Sequence, residues 1–498
     1  MNSGRLFLGI DIGGTNIKAC VFGTDGSMKA KASLPTPVSS PFPGYFERSI
    51  EAIRTITFDV VRAAAEKLSE EERAMISGIG TTGHGKGLYL LVKSGESIPA
   101  IASTDSRASG IVKEWYENGI AQKASELNMQ QTLACQPSAL LYWLKLNRRD
   151  QYDRIGTVLE AKDFLRYLLT GECFTEYTDA SGTGLMNLRT KRYDPELFRL
   201  YGIGEMFECM PPLKEAAELC GYLSEEAAEL TGLKAGIAVC GGMFDIDACA
   251  LAMGVSTPEP ICVITGTWSI NEYLSPCPLP REAGVNHSLF CLPEYYLIEE
   301  SSATSAGNLD AVLSEIMNDP DPDYREIDKA VAAVRPEDCD ILFYPFMYGT
   351  NSAGLKNAAW LNLRLGAGNA SVLRSVFEGV AFSHRYHIDR LLKNRTLKTE
   401  VLRAGGGAAK SDVWMQMIAD VTGIKVEAVT SVEPGAMGAA MAASVCIGAY
   451  DDYRVAAQHM VTVGKTFVPD PAAHSVYDLK YAKYISALRV LEQLDEIL

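Results

Sequence analysis

At 498 residues, with 47% apolar and 22% charged residues, the chain is long enough for two large domains with sizeable cores. A formal net charge of −16 argues against a nucleic-acid backbone or an anionic membrane as partner. No signal-peptide pattern and no apolar run of roughly 18–20 residues is found, and twelve cysteines without a CxxC pair read as reduced thiols of a cytoplasmic protein.

The first segment, 6–22, is an apolar run that ends in Asp11, then Gly13-Gly14-Thr15, then a second apolar run broken by Lys18. Strand, tight turn, strand is the expected form. A Gly-Gly-Thr turn lets a phosphate approach bare backbone N–H groups, and an acid at the preceding strand end can hold a divalent cation beside it. A Pro-rich loop follows, then an amphipathic helix over about 48–67. The short strand 76–80 runs into Thr81-Thr-Gly-His84-Gly85-Lys86-Gly87, an open loop at a strand end. A second strand end carries Thr104, Asp105 and Arg107; the last two could bind a polyol or pair with each other. Residues 108–175 read mainly as helices, and one of them stops at Thr170-Gly171.

At 236–254 an apolar strand meets Gly241-Gly242, Asp245 follows, and a helix of small residues begins. Asp245 can cap that helix, but capping does not require the two glycines or so small a helix face. Thr265-Gly266-Thr267 then repeats the opening turn 252 residues later, which implies a duplication and two domains of similar topology, 1–255 and 256–498. A long helix over about 370–393, with Asn369 as N-cap, carries Arg374 and Glu378 as expected surface or interface residues. Gly405-Gly406-Gly407-Ala408 and Ser411 form a third Gly-rich turn, which opens onto a helix over 411–422. An Ala-rich helix begins near Glu433-Pro-Gly, and a last helix runs from about 475.

Two Gly-Thr hairpins facing across a cleft could cradle a triphosphate, and the turn 405–407 could admit a purine and ribose. None is a GxxxxGK[ST] loop. With Asp11 and Asp245 these pieces suit phosphoryl transfer, in which one acid positions magnesium and the other accepts the proton of an attacking hydroxyl.

Asp11-Ile-Gly-Gly-Thr, Gly-His-Gly-Lys-Gly, Gly-Gly-Met-Phe-Asp245, Thr-Gly-Thr-Trp-Ser and Arg-Ala-Gly-Gly-Gly-Ala-Ala-Lys-Ser, in this order over almost the whole chain, resemble the FGGY carbohydrate kinases. The resemblance implies an α/β fold of two ribonuclease H-like, actin-type ATPase domains facing across a cleft. It implies ATP and Mg2+, with Asp245 as the general base and Asp11 and Asp245 at the metal. Gly13, Gly14 and Thr15 would line one phosphate site and Thr265, Gly266 and Thr267 the other. Gly405, Gly406, Gly407, Ala408 and Ser411 would lie at the adenosine. His84, Gly85, Lys86, Thr104, Asp105 and Asp245 would contact the acceptor.

The sugar-side loop departs from the Gly-Gln-Met-His-Gly of many members, and Ile246 stands where many have Asn. His-Gly-Lys-Gly-Leu-Tyr-Leu and Gly-Gly-Met-Phe-Asp are most similar to the L-xylulose (3-keto-L-gulonate) kinase branch, which implies a ketopentose such as L-xylulose. The alternatives are another polyol or sugar acid (ribulose, D-xylulose, erythritol, gluconate) or a silent actin-like nucleotide-binding protein. The partners expected are a small sugar or polyol and ATP, with a homodimer as one option.

Overall fold

The computed structural model describes residues 4–266, 268–280, 283–350, 357–430 and 433–494. Thr267, expected in the second phosphate turn, lies outside the described residues. The chain forms two compact units. One comprises Met1–Ser256, Ser275–Leu297 and Ser431–Val461; the other comprises Thr257–Leu274, Ile298–Thr430 and Thr462–Leu498. The sequence reading placed all of 256–498 in one domain, whereas two segments of that range pack with the first unit.

The first unit is built on β1 (Leu6–Ile12), β2 (Asn16–Gly23), β3 (Met28–Pro35) and β5 (Ile76–Gly83); the short β4 (Glu47–Arg48) lies outside their sheet. The sheet order is 219–222, 238–240, β5, β1, β2, β3. β1 pairs antiparallel with β2, with Asp11 opposite Lys18, and parallel with β5, with Asp11 opposite Thr82. Side chains alternate faces along a strand. Leu6, Leu8, Ile10 and Ile12 enter one core together with Ile53, Phe58, Val60, Val61 and Ala64 of α1 (Ile50–Ala65). Ser49 caps that helix by accepting from the Ala52 N–H at 3.2 Å, so the helix starts later than the sequence suggests and Glu47–Arg48 is a strand instead.

Phe7, Gly9 and Asp11 take the opposite face. The helix Pro434–Cys446 packs there, so closely that a Cβ on Gly9 would lie 1.8 Å from the Ala436 carbonyl oxygen. A Cβ on Gly80 would lie 2.0 Å from that of Ala439. This is why residues far along the sequence belong to the first unit. A helix face of Ala and Gly needs strands that also carry glycine, and β1 and β5 supply them. The period of two then puts Asp11 at the mouth of that helix: a Cβ on Gly435 would stand 2.9 Å from Asp11 Oδ2.

In the second unit the sheet order is 296–302, 269–275, 261–265, 401–405, 425–429, 463–467. Strand Ile261–Thr265 pairs antiparallel with Ser269–Ser275, with Thr265 opposite Ser269, and parallel with Val401–Gly405. This is the local topology of β1, β2 and β5 again, as the repeated Gly-Thr turn implied. The long helix spans Gly368–Leu392, so Asn369 lies inside it rather than capping it. Arg374 and Glu378, expected at a surface, are buried and paired at 2.8 Å. The sequence hid this because the partners that neutralise them, Lys480 and the Tyr477 hydroxyl, come from the helix Pro471–Leu494.

Candidate functional site

The first turn is held by its carbonyls. Arg48, buried in β4, donates to the Gly13 carbonyl at 3.2 Å from both terminal nitrogens and also to the Gly14 carbonyl. The Thr15 carbonyl accepts from the Thr36 N–H at 2.8 Å, and Gly13 N–H donates to Asn16 at 2.9 Å. Gly14 and Thr15 are exposed. Fixing all three carbonyls into the protein commits the turn's geometry and leaves its outer edge, at Gly14 and Thr15, exposed. Arg48 carried no motif in the sequence; only the fold brings it to this turn.

Asp11 is partly exposed, and its carboxyl is pushed up to about 6. Burial raises it, the Lys18 ammonium pulls it back, and Glu433 adds a further upward push. Glu433 sits at the start of the 434–446 helix with φ +58° and accepts from Lys18 at 2.7 Å and from Lys31. Burial alone would raise its carboxyl, but the hydrogen bonds from the two lysines outweigh this and hold it below the usual range.

Asp245 is the first residue of the helix Asp245–Ala252, and Phe244 before it makes no side-chain cap. It is therefore a first-turn acid, partly exposed rather than spent on capping. Its carboxyl is held well above the usual range by burial first, then by the negative charges of Asp11 and Asp179; Lys86 and the Ile246 N–H oppose this. Asp11, Asp245 and Lys86 thus share one electrostatic neighbourhood. Two partly open carboxylates that repel each other fit a divalent cation, which would relieve the repulsion.

The loop after β5 adjoins Asp245. A Cβ on Gly85 would lie 2.5 Å from the Phe244 ring, and Lys86 Nζ stands 5.9 Å from that ring's centroid. Lys86 adopts φ +66°, a strained value for a side-chain-bearing residue, and its N–H donates to Glu160 at 3.3 Å. His84 differs from expectation. Its ring is buried, Nε2 meets the Tyr89 hydroxyl at 3.0 Å, and burial with the nearby Arg48 pushes it down to about 3. It is a neutral imidazole behind the loop, not at its surface. Asp105 is likewise taken. Its oxygens accept from Arg107 Nε at 3.0 Å and NH2 at 2.9 Å and from the Phe46 N–H at 2.7 Å. Of the two options read from the sequence, pairing with Arg107 is the one found. Thr104 is exposed beside it.

A buried ionic cluster behind Asp245 was missed as such. Lys162, Asp163, Arg166, Glu176 and Asp179 are fully or almost fully buried. Lys162 Nζ reaches Asp163 at 2.6 Å, Asp179 at 3.5 Å and Glu176 at 3.7 Å. Burial raises the carboxyls of Glu176 and Asp179 to about 7, against the pull of Lys162. The signal was present in the run Lys162-Asp163 with Arg166 on the buried side of a helix, but a helix charge run is ordinarily solvated.

In the second unit, Thr265 Oγ1 donates to the Gly405 carbonyl at 2.8 Å, and the Gly266 carbonyl accepts from the Gly307 N–H at 3.4 Å. Gly406 has φ +101°, and a Cβ there would be 2.8 Å from the Thr265 backbone, so only glycine lets the two turns meet. Ala408 is buried in the short helical turn after Gly407. Ser411 caps the helix Asp412–Thr422 by accepting from Trp414 N–H at 3.1 Å, and its hydroxyl donates to Asp328 at 2.7 Å. Its side chain is therefore engaged by the helix. Behind the 265–266 turn, buried His384 joins Ser269, Ser305 and Asn271 at 3.0 Å each, and burial pushes it down to about 3.

Comparison with known proteins agrees with this architecture. Residues 6–252 match the FGGY family of carbohydrate kinases, N-terminal domain, and residues 261–447 match its C-terminal domain. The chain is 35% identical over 493 residues to the L-xylulose/3-keto-L-gulonate kinase of Escherichia coli, covering 98% of this chain and 97% of that protein. It is 32% identical to the probable L-xylulose kinase of Haemophilus influenzae, covering 98% and 99%. The solved xylulose kinase of Rhodospirillum rubrum superposes with TM-score 0.89 at 24% identity, over 99% of this chain and all of that one, which supports the fold. With both halves matched in order, the chain belongs to the FGGY family of carbohydrate kinases and is an ATP-dependent sugar kinase.

Proposed function

We propose that this protein phosphorylates a hydroxyl of a ketopentose, L-xylulose first among them, with Mg2+-ATP as donor and Asp245 as general base. The observation that carries the chemistry is Asp245 itself: a partly open carboxylate, not used as a cap, next to Asp11 and to the Gly85–Lys86 loop. Its raised affinity for protons makes it a competent acceptor for a hydroxyl proton. The sugar oxygen forms its bond to the γ-phosphorus as the bond to the bridging oxygen of ADP breaks, and the hydroxyl proton passes to Asp245.

Asp11, with Asp245, would hold the divalent cation, which when bound neutralises charge on the phosphate oxygens. Backbone N–H groups of Gly13, Gly14 and Thr15 and of the Thr265–Gly266 turn would meet phosphate. Gly405, Gly406, Gly407 and Ala408 would admit the adenosine. Lys86 and Gly85 would contact the sugar. His84 would support the loop from behind, and Asp105 would fix the adjoining turn through Arg107.

The choice of L-xylulose rests on the relatives' names and on the Lys86 loop. A sugar acid is the second reading, because a Lys86 ammonium beside the acceptor could pair with a carboxylate. Twelve cysteines outside any disulfide and a net charge of −16 fit a cytoplasmic enzyme whose partners are sugar and ATP rather than nucleic acid. Coupled ADP release, measured over ketopentoses, pentitols, tetritols and aldonates with L-xylulose and 3-keto-L-gulonate included, tests the reading. The highest kcat/KM is expected with L-xylulose. No acceptor-stimulated ADP from any of them overturns it.

A further inference from the structure

Asp245 depends on residues with no part in the chemistry. The backbone that delivers it, 241–245, has no side-chain cap of its own. It is gripped from one side by β5, with Met243 opposite Thr82 and Phe244 opposite Gly83. From the other side, Arg166 NH1 donates to the Gly241 carbonyl at 2.6 Å, and the Phe244 N–H donates to Thr178 Oγ1 at 2.8 Å. The same Thr178 hydroxyl donates to Glu176 Oε2 at 2.7 Å, and that carboxylate lies 3.7 Å from Lys162 Nζ. Thr178, Glu176 and Lys162 are all fully or almost fully buried.

We propose that Thr178 is a positioning residue for Asp245, its hydroxyl tying the buried Lys162–Glu176 pair to the backbone amide that precedes the base. The proposal rests on Asp245 being the base. A threonine hydroxyl here does what no apolar side chain can: one oxygen accepts an amide proton while its own proton goes to a carboxylate. Glu176 is itself locked, because its second oxygen accepts the Thr178 N–H at 2.9 Å. The bond at Phe244 therefore has a fixed origin, and it holds the peptide plane one residue before Asp245. Removing the hydroxyl leaves two buried polar groups facing a methyl, and the 243–244 peptide, one residue before the base, is then free to rotate toward other partners. Small displacements of a reacting group are costly in rate while leaving substrate binding intact.

The test compares Thr178→Val and Thr178→Ser with Asp245→Asn and the full-length wild type, by ADP release at saturating acceptor over a range of ATP concentrations. Thr178→Val is expected to lower kcat on the order of 10–100-fold with the KM for ATP within about twofold of wild type. Thr178→Ser, which keeps the hydroxyl, is expected to restore kcat to within about threefold. Thr178→Ala replaces the valine variant if the latter does not fold. Wild-type kcat in the hydroxyl-free variant, with Asp245→Asn inactive, overturns the positioning role alone. Equal losses in the hydroxyl-free and serine variants do the same, because a purely packing role makes no use of the hydroxyl. A wild type silent toward every acceptor overturns the proposed function, and an active Asp245→Asn overturns the base assignment on which the proposal stands.

Discussion

At the scale of single residues, charge placement governs what the site can do. Asp245→Asn should lower kcat by about 10²–10⁴-fold, the usual worth of a general base, with little change in the KM for ATP; coupled ADP release measures both. The Asp245 carboxyl lies well above the ordinary carboxylate range, so activity in the free enzyme should fall with acid at a higher pH than an unperturbed Asp would give. Lys86 lowers that value, so Lys86→Ala should move the acid limb of kcat/KM to still higher pH. The same variant should raise the acceptor KM about tenfold, a loss of about 1.4 kcal/mol of binding, and leave that for ATP nearly unchanged. An effect confined to ATP would refute the acceptor role. Asp11 has an opposite consequence for stability. Its carboxyl is pushed up to about 6 in the folded chain, against an ordinary value of 3.8. The folded state thus binds this proton more tightly, and the cost of ionising it is fully present above about pH 6 and vanishes as pH falls through 3.8. Without divalent cation, Asp11→Asn should therefore raise Tm at pH 7.5 by about 1–2 °C for each kcal/mol recovered, as the large unfolding entropy of so long a chain dictates, and the gain should close toward pH 4. The variant should also be a poor kinase.

At the scale of elements, the helix Pro434–Cys446 and the strands it covers act as one object. Gly9 and Gly80 allow its backbone to sit against β1 and β5, and there is no flexible side chain at the contact to yield. Gly80→Ala should destabilise by at least about 1–3 kcal/mol, the cost of overpacking, and the helix must lift away from the strand that carries Asp11. Chemical denaturation combined with kcat measures both consequences; a variant as stable as wild type would show that the helix is not seated this closely. The loop 83–87 behaves differently. Its residues are legible as a site in sequence, yet the structure turns His84 inward against Tyr89 and leaves Lys86 outward at a left-handed φ. Spacing along a loop does not say which side chain faces the ligand; the neighbouring elements decide it, here Tyr89 and Phe244.

At the scale of the whole molecule, the two units share a hairpin followed by a parallel strand, with Gly13 and Gly14 after the first strand of one and Gly266 after that of the other. The chain runs from the first unit to the second and returns twice. None of the twelve cysteines is in a disulfide, and of them Cys277 alone is exposed. Native thiol titration should therefore show one fast-reacting group and twelve in denaturant, with Tm unaffected by reductant. More than one fast thiol in the native protein would contradict the packing. No helix among the described residues is long and apolar enough to cross a membrane.

The local pieces and the chemistry class are legible in the amino-acid order alone. The apolar runs with their Gly-Thr turns, the Asp after Gly-Gly-Met-Phe and the repeat 252 residues apart are short-range or self-similar patterns, and they survive without knowledge of what packs on what. The rest follows from packing, because each remaining feature joins residues that no spacing relates. Arg48 reaches the Gly13 carbonyl from a separate strand. Lys18 meets Glu433 across 415 residues of chain. Arg374 and Glu378 are buried because the C-terminal helix brings Lys480 to them. Thr178 finds the Phe244 amide 66 residues away. A buried charge or hydroxyl is tolerated only with its partner in place, and the partner's identity is a property of the packed molecule, not of the local sequence.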